Sequence, residues 1–312
     1  MSLTLEELVQ NSSKIKSLQE AKDIIGGGST PMGFSDVTKM PCLTYSLPAT
    51  MCKTGTKLRS VKGSSCSGCY ACPSDISGHT GGFYASDRVQ QPMNHRLLQV
   101  LFNPRWTDAM IYLFDHFQFP FFRWHDSGDI QNKKHFENIC KIADACPNTK
   151  FWLPTQEWSI IEQYWEENGR VLLKELHPNL IVRLSARMID GPAPVWYANM
   201  LGVTTSRIST KGIDVDCPAS KQGNNCGTCR RCWSNDIVSI TYHLHDGHDH
   251  FMKSEFMQNV KNYMLELLDL GVNKTEIYNR TSQKFSIQKI QVRIIARRIR
   301  LDIEKRLEVL SS

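Results

Sequence analysis

The chain has 312 residues, 41% hydrophobic and 22% charged, with 37 Lys and Arg against 31 Asp and Glu for a formal net charge of +6. That length holds one large domain or two modest ones, and the composition is that of a globular protein rather than a disordered or fibrous one. No apolar run is long enough to span a bilayer, and residues 1–28 lack the apolar core of a signal peptide, so a cytoplasmic protein (host cytoplasm if phage-encoded) with no membrane partner is expected.

Residues 1–30 read as a helix closed by Gly26-Gly27-Gly28, making 1–39 a helix and linker ahead of the main domain. MPCLTYSLP (40–48) is strand-like and opens into a long loop rich in Gly, Ser, Lys and Cys. A loop of that length inside a domain usually has a function. From residue 93 the pattern is regular: a helix over 93–117, then the strand FPFFRWHD (119–126). The helix NKKHFENICKIADA (132–145) follows, with Phe136, Ile139, Cys140 and Ala143 on one face. KFWLPT (150–155), NLIVRLSA (179–186), GVTTSRIS (202–209) and DIVSITYHLH (236–245) read as further strands, with a helical stretch at 159–176. Strands alternating with helices predict β-α-β units and a parallel sheet. The expectation is an α/β fold, a partial or complete β/α barrel over 40–250 with Cys-rich loops. An open doubly wound sheet is the alternative. Residues 251–312 are expected to be an all-helical module.

Eleven cysteines supply the strongest signal. Cys66, Cys69 and Cys72 read C-x-x-C-x-x-C, and Cys226, Cys229 and Cys232 repeat it, with Cys217 nine residues upstream. Such spacing lets successive thiolates converge on one metal or cluster, and in a cytoplasmic protein ligation is favoured over disulfides. The first run leaves one coordination position open unless Cys52 or Cys42 closes it. The second supplies four cysteines by itself, with Arg230 and Arg231 to offset thiolate charge. The metal set is therefore Cys52, Cys66, Cys69, Cys72, Cys217, Cys226, Cys229 and Cys232. Three cysteines at successive spacings of three, trailed by Pro73, favour one or two iron–sulfur clusters, with zinc as the alternative metal. Cys140 reads as core. His243-x-His245, with His248 and His250, is a further metal candidate or a polar exit loop.

In parallel α/β folds the reactive groups sit at the carboxyl ends of the strands. Here three strand ends are polar: Arg123 to Asp129, Thr155-Gln156-Glu157, and Arg183 to Arg187. His125, Asp126, Asp129 and Arg183 are the catalytic candidates. Ser127, Gly128, Asp129, Thr155 and Ser185 are the candidates for holding a cofactor.

Residues 271–312 carry ten Lys or Arg and four acids, so the entire charge excess lies there. Helix, short turn and basic helix resemble a helix-turn-helix, with Lys289, Arg293, Arg297, Arg298 and Arg300 meeting nucleic acid, DNA by preference.

With CSGCYA, FRWHDSGDIQ, FWLPT, LIVRLSA and the final CxxCxxCW in this order, the chain resembles the gene 88 family of phage and mobile-element proteins over about residues 40–245. It is more loosely similar to radical S-adenosylmethionine enzymes. That likeness implies a cluster on Cys66, Cys69 and Cys72 and an acidic turn at Ser127-Gly128-Asp129, although the cysteine spacing is one residue shorter than usual. In that reading Asp129 and Arg183 position S-adenosylmethionine, with His125 or Asp126 near the substrate. Asp126-Ser127-Gly128-Asp129-Ile130-Gln131 also resembles the motif of guanine transglycosylases, which bind zinc. The expected function is that of a radical-type iron–sulfur enzyme acting on nucleic acid or its bases. The alternatives are a metal-stapled DNA-binding accessory protein and a zinc-containing deazaguanine transglycosylase.

Overall fold

The six strands expected from the apolar runs are all present, and a seventh, very short one precedes them. The computed structural model describes residues 14–28, 30, 32–37, 39–67, 69, 71–72, 87–211, 216–244, 255–285, 292 and 296. In chain order the elements are α1 (Leu18–Ile24), β1 (Ser35–Asp36), β2 (Leu43–Tyr45), α2 (Lys53–Arg59), α3 (Asp87–Phe102), α4 (Trp106–Phe117), β3 (Phe121–Trp124), α5 (Lys133–Ala145) and β4 (Lys150–Thr155). They continue with α6 (Trp158–Glu167), α7 (Leu173–Leu176), β5 (Leu180–Ser185), α8 (Val195–Leu201), β6 (Thr204–Ser209), β7 (Ser239–His243), α9 (Glu255–Asp269) and α10 (Lys274–Phe285).

The strands pair in sequence order, β1 to β7, and only β1 runs antiparallel to its neighbour. Each parallel crossover therefore steps the same way, which excludes the reversal of strand order that defines a doubly wound sheet. Among the described residues β7 pairs with β6 alone, so no ladder closes the sheet.

Strand alternation gives the sheet two unlike faces. On one, Phe122, Trp124, Phe151, Leu153, Val182 and Leu184 join the helices in the main core. Phe114 of α4 stands edge-on to Phe122 and Phe151 at 4.8 and 4.9 Å, contacts worth about 1 kcal/mol each beyond the area they bury. Helix α5 is placed by Asn132, whose side chain accepts the His135 amide at 2.8 Å, and it buries Phe136, Ile139, Cys140 and Ala143 as its periodicity requires. The opposite face carries a smaller cluster of Cys42, Trp152 and Trp233 with Phe121 and Tyr242.

The chain divides into two compact units, residues 1–244 and 245–312. The described part of the N-terminal segment packs into the main core. Ala21 of α1 and Ile25 just beyond it are fully buried in the main core, and the Tyr45 hydroxyl donates to the Ile25 carbonyl at 2.5 Å. In the second unit Val260, Met264 and Leu267 of α9 pack with Ile277 of α10 and Val292. The expected nucleic-acid contacts Lys289, Arg293, Arg297, Arg298 and Arg300 lie outside the described residues, as do His245, His248 and His250. Among the described residues no helix is long and apolar enough to cross a membrane.

Candidate functional site

The turn after β3 brings most of the predicted polar cluster to the carboxyl ends of the strands, and it spends most of those side chains on holding the chain. Ser127 donates to the Leu47 carbonyl at 2.9 Å and accepts the Leu47 amide at 2.8 Å through its own carbonyl. Gly128 has φ +82°, and a Cβ there would stand 2.6 Å from Leu47 Cβ. Its lack of a side chain serves this close packing, not the approach of a ligand. Gly128→Ala should therefore cost about 2–4 kcal/mol, from the left-handed backbone and the clash together, measured as a shifted urea midpoint at unchanged slope. Asp129 accepts from the Ile130 amide (2.8 Å), the Gln156 amide (2.8 Å) and the Thr155 hydroxyl (2.6 Å). Burial pushes its carboxyl up to about 7 against those three donors. Asp126 accepts from Ser46 and, at 3.2 Å, from Thr44. Ser185 meets Ser206 at 3.4 Å.

His125 turns away from this surface. It has φ +56°, its Nδ1 donates to the Tyr45 carbonyl at 3.0 Å, and its ring lies 5.2 Å from that of His135. It is 3% exposed, and burial brings it down to about 4. A catalytic role at the surface does not fit that placement.

The first cysteine loop is strapped over the same strand ends. Thr54, two residues after Cys52, gives its amide and hydroxyl to the two oxygens of buried Glu157 at 2.7 and 2.8 Å. Gln156 donates to Ser65 at 2.8 Å and to the Ala186 carbonyl at 3.2 Å. The Ser65 amide reaches the Arg187 carbonyl at 2.9 Å. A Cβ on Gly55 would lie 3.0 Å from Cys52 Cβ and 3.7 Å from the sulfurs of both Cys52 and Cys66, so glycine fits closely against Cys52 and both thiols lie beside it. Cys72 is fully buried and packs with Cys69, Ala49 and Ala71. Interaction between the neighbouring Cys69 and Cys72 thiols favours the thiolate on Cys69 and the neutral thiol on Cys72; burial pushes Cys66 up to about 11. Cys52 therefore belongs with the first run, within electrostatic reach of Cys66 and Cys69.

The second run sits against the opposite sheet face. Trp233 stands edge-on to Phe121 and Trp152 at 5.4 and 5.5 Å and donates to the Phe122 carbonyl at 2.8 Å. Arg183 holds this segment. It is 0% exposed and gives five hydrogen bonds, to the carbonyls of Thr205, Arg231, Cys232, Ser234 and Ile237 at 2.9–3.3 Å. Arg183 was expected beside Asp129; every one of its acceptors lies between residues 205 and 237, which makes it a structural clamp. Cys42 also lies here, packed in one cluster with Cys232, and not with the first run. Cys140 is core. Among the described residues no three His, Cys, Asp or Glu side chains are grouped closely enough to hold a metal ion.

The strap residues Thr54, Ser65 and Leu47 had no sequence signal, because each acts through a partner far away in the chain. Tyr242, whose hydroxyl meets Cys232 Sγ at 3.2 Å, was hidden in the same way.

These features define a singly wound α/β protein with one cysteine loop over the strand ends and a second against the sheet face. The chain matches the family described as Gene product 88 over residues 7–235 and belongs to that family. No curated protein and no solved structure matches it.

Proposed function

We propose that this chain is an iron–sulfur protein whose working centre is held by Cys52, Cys66, Cys69 and Cys72, and that it acts on nucleic acid or its bases. The observation that carries this reading is the strapping of the first cysteine loop, by Glu157, Gln156 and Arg187, onto the carboxyl ends of parallel strands. Parallel folds keep their reactive groups there. Gly55 has Cys52 and Cys66 on one side of it, and since metal binds the thiolate, ligation has to overcome the burial that holds Cys66 up. Closing the centre requires these thiols to rotate onto a common point. A singly wound order is also what a partial β/α barrel needs. The +6 excess confined to residues 271–312 supports a nucleic-acid partner.

The acidic turn does not extend the proposal to S-adenosylmethionine. Gly128 is packed against Leu47 and Asp129 already accepts three hydrogen bonds, so neither is available to a ligand amine. The second run reads as structural, because Arg183 ties its Arg231–Ser234 end to β6 and Ile237.

Anaerobic purification of the full chain tests the proposal. Iron, acid-labile sulfide and broad visible absorbance are expected, and Cys66→Ser should remove one cluster's share of each. A colourless chain carrying only zinc would overturn the iron–sulfur reading. DNA binding should weaken linearly with log salt, with a slope of about −0.9 per phosphate neutralised.

A further inference from the structure

We infer that the rim formed by α2 and the turn after β5 is a docking surface for single-stranded nucleic acid, with Lys53, Lys57, Lys62 and Arg187 meeting phosphates and Trp196 stacking on a base. The inference rests on the nucleic-acid half of the proposed function and needs no metal.

Charge comes first. Residues 37–74 contain five Lys or Arg and no Asp or Glu, so the chain that covers the strand ends is basic throughout. Lys53, Lys57 and Lys62 are exposed, as is Arg187. Among the described residues no carboxylate pairs with any of the four. Two acids on the neighbouring loops are engaged internally: Glu157 by Thr54, and Asp190 by Ser209 and Thr210. Unpaired cations on one surface favour a polyanion.

The two segments form one surface. The Ser65 amide donates to the Arg187 carbonyl and the Ile189 amide to the Gly63 carbonyl, both at 2.9 Å, and Ser64 bridges to Met188. Lys62 and Arg187 are thereby brought together from positions 125 apart in the chain. Flat groups share this rim. The Arg187 guanidinium lies 4.5 Å over the Trp158 ring, whose other neighbour is Tyr197 at 5.7 Å. Trp196, in the first turn of α8, is 77% exposed, more than any other large apolar side chain among the described residues, and Met51, Val61 and Met188 are exposed on the same loops. Exposed indole and stacked guanidinium planes match the faces of unpaired bases, which a duplex keeps covered. Cations interleaved with an aromatic platform are the arrangement that tracks a single strand without reading its sequence.

The test uses the full chain and a fluorescein-labelled oligodeoxythymidylate of roughly 20 nucleotides, longer than the site of one single-strand module, followed by polarisation across a salt series. Replacing Lys53, Lys57 and Lys62 together by Gln should flatten the salt slope by about 2, at about 0.7 per phosphate contact. Trp196→Ala should weaken binding roughly tenfold at unchanged slope, and Trp196→Phe should recover part of the loss. Parent-like binding in both the triple variant and Trp196→Ala overturns the proposal. So does equal competition by polyglutamate, which would make the rim a site for acidic protein, or binding to phosphatidylglycerol vesicles in place of the oligonucleotide. Should a variant fail to fold, lysine acetylation of the parent chain read by mass spectrometry decides: the oligonucleotide should protect Lys57 and Lys62. Protection of Lys289 and Lys305 alone overturns this site and leaves the nucleic-acid partner to the C-terminal segment. A chain without iron that still binds the oligonucleotide through Lys57, Lys62 and Trp196 defeats the iron–sulfur proposal and supports this one.

Discussion

Replacing Arg183 by methionine is expected to cost about 3–5 kcal/mol, because it leaves buried carbonyls without the cation that binds them. A protein of this kind has about 5–15 kcal/mol in hand, so the variant should sit near the edge of folding. The five acceptors come from β6, from the Arg231–Ser234 turn and from Ile237. The loss therefore falls on the attachment of the second cysteine run to the sheet. Arg183→Lys should recover less than half of it, since one ammonium cannot reach acceptors spread around a planar fork. Urea unfolding followed by tryptophan fluorescence reads the effect, as Trp233 leaves its cage of Phe121 and Trp152. If instead Arg183→Met unfolds at the wild-type midpoint but loses activity, Arg183 is catalytic and the clamp assignment is wrong.

Acid should destabilise the chain through its buried histidines. Burial lowers His125 to about 4 from an ordinary 6.5 and lowers His135 further, with the neighbouring His125 adding to the effect. At these two histidines the folded chain then binds fewer protons than the unfolded chain, so their contribution to stability is complete above pH 6.5 and is lost as the pH drops toward 4. For His125 alone the loss between pH 7.5 and 5 amounts to ~2 kcal/mol. Asp129, raised by burial to about 7, titrates in the same window with the opposite sign, so the histidine contribution is read from the difference between a variant and the parent chain. His125→Asn is the informative variant, because asparagine tolerates the left-handed backbone at this position. It should raise stability at pH 5 relative to pH 7.5, compared with the parent chain, by the ~2 kcal/mol assigned to His125, whatever its effect on absolute stability. An unaltered pH profile would show that His125 does not titrate as its burial demands.

The strands themselves were readable because buried parallel strands leave continuous apolar runs, and FPFFRW, KFWLPT and NLIVRLS stand out between amphipathic helices. The doubly wound alternative needed the pairing itself to remove it. The polar strand ends were also legible, but their roles were not. His125 and Asp126 are adjacent in sequence, yet a left-handed residue sends one into the core and leaves the other on Ser46 and Thr44. Asp129 looked like a ligand holder, and its capture by Thr155 and Gln156 depends on contacts 26 and 27 residues away. Arg183 looked like a mouth residue because it lies near a strand end. Strand alternation places it on the face opposite Val182 and Leu184, where it meets carbonyls up to 54 residues further on.

Local spacing alone settled which cysteines could act together, since thiols three residues apart share one turn of chain. It also located the six longer strands and the concentration of positive charge, but not the break between α3 and α4 that divides the helix expected over 93–117. Only the folded chain placed Cys52 beside Cys66 and packed Cys42 with Cys232, tied the first loop across the strand ends, and made Arg183 a clamp. Those outcomes hinge on which groups meet across the sheet, and hydrogen bonds between residues tens of positions apart leave no periodic trace in the order of the amino acids.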